Sequence, residues 1–284
     1  MAVRRPDFAG SWYPGREADC RRVIQEFAET EISLPSPGKS RVGGIVPHAG
    51  WVFSGRIACQ VIKALKHGED PDTVVIFGRH LHSGGKNYLM REGSWETPIG
   101  DLKIDQELAD GLLSEFSFQV ETASRHDPDN TIELQLPFIK YFFPEAGILP
   151  VGVPPAAASL RIGETLAELS GRSGRKTLFL GSTDLTHYGY NYGFVSRGVG
   201  EEAVRWVKEE NDKRMVDLIS LTDAEGVIKE SLRNQNACCG GAVGAAIASS
   251  KKMGATRGDK VLYGTSYDIR PDSSFVGYVG IVFS

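Results

Sequence analysis

The sequence predicts an α/β protein, a single domain with a central mixed, largely parallel sheet flanked by helices. Short β-branched apolar runs alternate along the chain with longer segments whose apolar residues recur at helical spacing. This alternation is typical of strands joined by crossover helices. Three of the runs, which begin at Gly43, Thr73 and Thr177, end in polar turns that carry histidine. Because ligands of such sheets bind beyond the carboxyl ends of the strands, we expect these turns to converge on one site.

The elements of the first half follow from local patterns. Short β-branched runs predict strands, helical spacing predicts helices, Gly68 is placed to end the second helix, and Asp105 caps the third. The segment over residues 34–40 is predicted as a loop. The predicted elements are a helix over residues 16–30, a strand over 43–46, a helix over 57–65, a strand over 73–77, a strand or hairpin excursion between 88 and 104, and a helix over 105–116.

The second half continues the alternation. Pro137 either lies early enough in its helix to be tolerated or kinks it. Small residues dominate the helix after Cys239. The predicted elements are a helix opening at residues 132–136, a strand over 147–153, a helix over 156–171, a strand over 177–181, helices over 200–221 and 222–234, a small-residue helix over 240–252, and paired strands over 260–269 and 275–283.

Composition limits the class of protein. The 284 residues are 41% hydrophobic and 24% charged, and no linker divides them, so we expect one domain over residues 1–284. A net charge of −4 argues against nucleic-acid binding. We expect no membrane span, no signal peptide and a cytoplasmic location, because no apolar run is long enough.

The four cysteines form no disulfide framework, and Cys20 and Cys59 are interpreted as small buried hydrophobes.

Four of the six histidines lie in the three strand-end turns. His48 follows Pro47 and precedes flexible glycines, which suits either a fixed ligand beside a substrate or a histidine that closes the turn. His80 and His82 are two residues apart, so both point the same way on an extended chain. Three interpretations are open: both rings face a pocket, one ring binds a ligand while the other orients that ring, or both lie exposed on a polar loop.

Asp184 and His187 lie on one face if their turn is helical. The carboxylate would then accept from the imidazole N–H and fix its tautomer. Alternatively, Asp184 merely caps a helix, which leaves His187 unexplained. Cys239 is predicted at a helix N-terminus, where unpaired N–H groups lower the pKa of a thiol, although a buried inert cysteine is the commoner case.

Imidazoles, a thiolate and a carboxylate from connecting turns favour a mononuclear iron, copper or zinc site over a calcium or magnesium site. The spacing motifs CxxC and HExxH are absent, as are the phosphate-binding glycine loops and the GxSxG nucleophile turn. The residues alone therefore leave a metal site and a set of structural turn residues as open alternatives.

Several sequence phrases occur in a distinctive order. They are Phe8-Ala-Gly-Ser-Trp-Tyr13, Val46-Pro-His-Ala-Gly50, Ile132-Glu-Leu-Gln-Leu-Pro-Phe138, Ser182-Thr-Asp-Leu-Thr-His187 and Cys239-Gly240. In this order they resemble the Memo family, and the match runs from about residue 8 to the C-terminus. The resemblance implies a single α/β domain similar to class III extradiol ring-cleaving dioxygenases, which hold Fe(II) with two histidines and a glutamate.

Carried over by motif, the resemblance implies that His48 and Cys239 are metal ligands and that Asp184 and His187 are the polar pair beside them. Thiolate in place of glutamate is softer and can itself be oxidised. Fe(II) is the metal that we expect, with copper or zinc as alternatives.

The second histidine ligand does not carry over directly. Family members place a histidine three residues beyond the glycine that ends this strand, whereas Leu81 holds that position here. We therefore expect His82 to serve as the ligand through a shifted turn, with His80 as its neighbour or as the alternative ligand.

These residues support three functional hypotheses. The first is a metal-dependent oxidoreductase with a dioxygenase-like pocket for an unidentified small molecule. The second is a non-catalytic adaptor that binds a small anionic ligand or a peptide in the same pocket, and the third is a zinc hydrolase. The aromatic walls of an adaptor groove are predicted from Trp12, Tyr13, Trp51 and Tyr188.

Overall fold

The computed structural model describes residues 2–29, 40–66 and 69–284. The predicted cap at Gly68 and all but the last residue of the predicted loop over 34–40 lie outside these residues. The strands are β1 Val3–Arg4, β2 Gly43–Val46, β3 Thr73–Gly78, β4 Tyr88–Met90, β5 Ser94–Trp95, β6 Leu102–Lys103, β7 Gln119–Glu121, β8 Gly147–Gly152, β9 Thr177–Ser182, β10 His187–Tyr188, β11 Gly258–Thr265 and β12 Phe275–Phe283.

The helices alternate with these strands as the sequence predicts. They are α1 Glu17–Ala28, α2 Trp51–Leu65, α3 Gln106–Glu115, α4 Asn130–Glu133, α5 Leu136–Phe142, α6 Ala157–Ser173, α7 Glu201–Trp206, α8 Asp212–Ser220, α9 Ala224–Asn234, α10 Gly240–Lys252 and α11 Ser266–Ile269. Among the described residues, no helix combines the length and apolarity needed to cross a membrane.

Nine of the described strands form one mixed sheet in the order β10-β12-β2-β9-β3-β8-β4-β7, with β11 paired to β12. The central strands β2, β9, β3 and β8 are parallel. Strands β12 and β4 run antiparallel to their central neighbours. Strands β1, β5 and β6 make a separate small sheet. The predicted class, a mixed and largely parallel sheet flanked by helices, is confirmed.

The register of the central strands brings the three predicted turns to one edge. Val46 at the end of β2 pairs with Ser182 at the end of β9, and Phe77 of β3 pairs with Gly181. The residues that follow these strands therefore leave the sheet side by side. This is the edge at which parallel sheets bind ligands.

Helix α10 brings its N-terminus to this edge by packing closely on β9 and α6. A Cβ at Gly181 would lie 2.9 Å from the Ala242 carbonyl oxygen, and one at Gly163 would clash with the Ala245 carbonyl oxygen. Such separations leave no room for a Cβ at Gly181 or Gly163, so these two glycines allow α10 to lie close to β9 and α6.

Two elements differ in detail from their predictions, and in a third the structure decides between two predicted alternatives. The predicted strand over 260–269 ends at Thr265, because Thr265 and Asp268 form a capping box that starts α11. The predicted helix over 200–221 contains a π-helical turn, Val207–Asn211, between α7 and α8. Pro137 lies in the first turn of α5, where its missing N–H costs no hydrogen bond.

Glu133 of α4 anchors the N-terminal segment to the sheet. Its buried carboxylate accepts hydrogen bonds from the backbone N–H groups of Asp7 and Phe8, both at 2.8 Å, and from the Tyr13 hydroxyl at 3.0 Å. Burial raises the pKa of this carboxyl, and the hydrogen bonds oppose the rise. Glu133 thus fixes the chain on both sides of Trp12.

We expect Glu133→Gln to lower the free energy of unfolding by about 2 kcal/mol, because one amide oxygen cannot serve all three buried donors. Urea denaturation measures the change. Glu17→Gln is the matched control, since Glu17 is exposed and makes only an ion pair with Arg21 in α1. Equal stabilities for the two variants would contradict the anchoring role.

A second buried carboxylate, Asp212, joins α8 to the sheet. It accepts hydrogen bonds from the Thr186 N–H at 3.0 Å and from the Tyr263 hydroxyl at 2.8 Å. Burial nevertheless raises the pKa of Asp212 from 3.8 to about 6. At a pH between 3.8 and about 6, Asp212 has lost its proton in the unfolded chain but still holds it in the folded protein.

Asp212 therefore makes the folded state lose stability as pH rises through about 6. We expect the wild type to lose roughly 2.5 kcal/mol more stability than Asp212→Asn between pH 4 and pH 7, because most of a pKa difference of about two units is expressed in this range. Urea denaturation at several pH values measures both proteins. Stability curves that stay parallel over this range would contradict the prediction.

Candidate metal centre

Two strand-end turns and the N-terminus of α10 bring together two histidines and two cysteines. The potential ligand atoms of His48, His80, Cys238 and Cys239 all lie within 4.8 Å of one another. Cys239 is buried, Cys238 is half-buried, and His80 is reached from solvent. The predicted ligands His48 and Cys239 are thus neighbours.

The distances within this cluster fit a four-coordinate ion. His48 Nε2 lies 3.2 Å from Cys238 Sγ, His80 Nδ1 lies 3.6 Å from Cys239 Sγ, and the two sulfurs are 3.8 Å apart. A tetrahedral ion with metal–sulfur bonds of about 2.3 Å and metal–nitrogen bonds of about 2.0 Å separates its sulfurs by about 3.8 Å and sulfur from nitrogen by about 3.5 Å. Shifts of a few tenths of an ångström would complete the site.

The tautomer of His48 follows from its hydrogen bonds. The Ser182 hydroxyl donates to the Thr131 carbonyl oxygen at 2.6 Å, so it accepts from Nδ1–H of His48 at 2.9 Å. The other ring nitrogen, Nε2, faces the Cys238 sulfur at 3.2 Å. The backbone N–H of His48 donates to Asp184 at 2.7 Å, which fixes the turn. An imidazole oriented in this way is prepared to bind a metal through Nε2.

Arg79 turns the second strand end inward. Its φ of 78° is left-handed, and its backbone N–H donates to the Thr131 hydroxyl at 2.7 Å. Its guanidinium forms ion pairs with Glu121 and Asp127, both at 2.8 Å, and lies over the Tyr88 ring. No sequence pattern predicts this network, which holds a conformation that is costly for arginine.

As a result His80, and not His82, faces the cluster. The His80 ring packs edge-on to His48, with 4.9 Å between ring centroids. His82 is exposed, and its Nδ1 accepts from the Gly84 N–H at 3.2 Å. The expectation that His82 faces the site is therefore corrected, because the left-handed Arg79 breaks the extended backbone that would have pointed both rings the same way.

Cys238 is the site residue that the sequence interpretation missed. Its sulfur accepts from the Asp184 N–H at 3.3 Å and contacts the Thr183 hydroxyl at 3.6 Å. Burial raises the pKa of Cys238, but the Cys239 thiol and His48 lower it well below its ordinary value. The adjacent cysteines Cys238 and Cys239 were the sequence signal that could have identified it.

The pKa of Cys239 moves the opposite way from the sequence expectation. Burial and the neighbouring Cys238 thiolate raise it well above its ordinary value, which outweighs the helix N-terminus. Burial lowers the pKa of His80, but the interaction with Cys238 raises it by a larger amount, so that the pKa is about 9. The metal-free cluster is thus an ion pair network centred on one thiolate, and metal binding would release protons.

Asp184 and His187 lie beside this cluster, but not on a helix. Residues 183–186 are irregular, and His187 begins β10. The Asp184 carboxylate lies 3.9 Å from His187 Nε2 and 4.0 Å from His48 Nε2, so it acts on both rings through charge. His187 Nε2 is buried without a hydrogen-bond partner among the described residues. Burial lowers the pKa of His187, but Cys238 and Asp184 raise it overall.

A cavity of about 690 Å³ opens above these side chains, lined by His48, His80, Asp184 and His187. Of the predicted aromatic walls, only Trp12 lines it. Tyr13 and Trp51 pack in the main core, and Tyr188 packs in a separate cluster. A larger groove of about 830 Å³ runs along residues 85–87, 117–121 and 125–127 and includes none of the cluster residues.

Comparison with known proteins gives the relationship of this chain. Residues 4–282 match the family model described as Memo-like protein. MEMO1 family proteins of Pyrococcus abyssi and Methanopyrus kandleri are 35% and 31% identical over 99% of this chain, which covers 99% and 98% of them. An uncharacterised protein structure from Escherichia coli K12 aligns over 80% of this chain and 92% of its own with a TM-score of 0.45 at 12% identity, too low to establish a shared fold. The chain belongs to the Memo-like family.

Proposed function

We propose that this protein binds one transition-metal ion through His48, His80, Cys238 and Cys239 and uses it for redox chemistry on a small molecule in the cavity. The observation that carries this proposal is the approach of the four ligand atoms to within 4.8 Å of one another, beneath an open cavity. The metal, when bound, would supply electron transfer and would polarise a ligand.

The donor atoms restrict the choice of metal. Imidazole and thiolate suit iron, copper and zinc and are poor ligands for calcium or magnesium. The likeness to Fe(II) dioxygenases that the family resemblance implies favours iron, which we propose as the ion. The second thiolate of this chain favours Cu(I) or zinc, and these are the alternatives.

His187 is proposed as the acid or base of the reaction. Its Nε2 is buried, has no hydrogen-bond partner among the described residues, and belongs to a ring that lines the cavity. A cavity ligand can supply the missing partner. Asp184, at 3.9 Å, stabilises the protonated ring and so lets Nε2 hold or release a proton.

The same cavity also supports binding without catalysis. Trp12 is 42% exposed and Val52 is 72% exposed, and both line the cavity. Exposed apolar side chains around a concave site are typical of a ligand or peptide contact. A protein acting only in this way would work equally well without metal.

We expect protein purified under reducing, anaerobic conditions to hold one equivalent of metal, measured by mass spectrometry of iron, copper and zinc. His48→Ala and Cys239→Ala should abolish uptake. Ser182→Ala should weaken affinity by about 10–100-fold through the freed His48 ring. His82→Ala is the matched control and should bind normally, because His82 is exposed on the turn. Equal metal content in the His48 and His82 variants would contradict the site.

We expect His187→Gln to keep its metal while slowing oxidative cleavage of catechol by about 10²–10⁴-fold, the contribution of a positioned acid or base. Oxygen consumption and product absorbance measure the rate, and metal analysis is run on the same samples. Loss of metal together with activity would assign His187 to the metal site instead. A wild type that holds metal but never cleaves catechol would contradict dioxygenase-like activity.

A further inference from the structure

The adjacent cysteines permit a reaction that metal binding does not use. Both are free thiols, and their sulfurs are 3.8 Å apart, which is van der Waals contact. We propose that Cys238 and Cys239 are a reversible oxidation site, at which hydrogen peroxide joins them as a disulfide between neighbouring residues.

Cys238 is placed to react first. It is half-buried, whereas Cys239 is 2% exposed. His48 Nε2 lies 3.2 Å from its sulfur, and the Asp184 N–H donates to the same sulfur at 3.3 Å. The donor holds the sulfur in place, and Cys239 lies directly behind it as the second thiol.

The other two cysteines provide a contrast within the same chain. Cys20 in α1 and Cys59 in α2 are completely buried in the main core. The Cys59 sulfur contacts the Ile24 carbonyl oxygen at 3.8 Å. Apolar packing of this kind keeps a thiol inert.

The reaction proceeds in two balanced steps. In the first, the sulfur of Cys238 attacks one peroxide oxygen, so that an S–O bond forms, the O–O bond breaks, and hydroxide leaves with a proton as water. In the second, the sulfur of Cys239 attacks that of Cys238, so that the S–S bond forms, the S–O bond breaks, and a second water leaves with the proton of Cys239. Two thiols and one peroxide give one disulfide and two waters.

Covalent geometry makes this disulfide easy to reduce. The trans peptide bond between the two residues fixes their Cα atoms about 3.8 Å apart, whereas disulfides usually span about 4.4–6.8 Å. The bond would therefore be strained, and strained disulfides are the labile, regulatory ones. The pair thus acts as a switch and not as a structural crosslink.

Oxidation would also withdraw both thiolates from the cluster. This consequence rests on the proposed metal site, whereas the disulfide itself does not. A disulfide supplies no thiolate ligand, so the oxidised protein would keep only the two imidazoles and lose its metal. Reduction would restore binding.

The test uses metal-free full-length protein treated with one equivalent of hydrogen peroxide, then alkylated while denatured and digested with trypsin. Cleavage after Arg233 and Lys251 releases one peptide, residues 234–251, that carries Cys238 and Cys239 and no other cysteine. We expect this peptide to lose two hydrogens in mass and to take up no alkylating agent. Dithiothreitol before alkylation should restore two alkylated thiols.

Two variants and a metal assay complete the test. Cys239→Ser should stop at a sulfenic acid on Cys238 that dimedone traps, and Cys238→Ser should leave Cys239 alkylated. A doubly alkylated wild-type peptide, or sulfinic acid on Cys238 beside a free Cys239, would overturn the proposal. Metal content before and after peroxide tests the coupling separately, because reduced protein that binds no metal would refute the metal site and leave the disulfide result standing.

Discussion

The site depends on one residue of the short helix α4, Thr131. Its carbonyl oxygen accepts from Ser182 at the end of β9, and its hydroxyl accepts from the backbone N–H of Arg79 at the end of β3. The hydroxyl can accept because its own proton goes to Asp129. The first contact sets the tautomer of His48, and the second sets the turn that aims His80. Thr131 therefore determines how both imidazoles are presented, although it does not line the cluster.

Much of this arrangement could be predicted because it follows from strand topology. Parallel strands end at a common edge, so the apolar runs that precede His48, His80 and Asp184 were sufficient to place those residues together. The choice between His80 and His82 could not be made locally. It depends on a left-handed residue, Arg79, held by carboxylates more than forty residues away in the chain.

Cys238 shows a different limit of sequence reasoning. The helix N-terminus argument applied to Cys239, which is the N-cap residue of α10, and it predicted the wrong direction for the pKa of that thiol. Burial removes solvent from both sulfurs, so only one of the pair carries charge, and the imidazoles decide which. The sheet determines where these imidazoles lie, and no sequence pattern within residues 236–241 carries that information. The sequence therefore shows the cysteine pair, but it does not show the part that Cys238 plays in the cluster.

If the proposed metal binds, the second sulfur would distinguish this site from one made of two histidines and a carboxylate. Two histidines and one carboxylate leave open positions on an iron ion, and these positions admit reactants. Two histidines and two thiolates at tetrahedral separations leave none. Access to the ion would therefore require one ligand to withdraw. Cys238 is the half-buried sulfur, and the neighbouring His187 is among the groups that lower the pKa of its thiol. The sulfur best placed to withdraw from a bound metal would thus also be the thiol exposed to oxidant, so access to the metal and oxidation of the cysteine pair would compete for one atom.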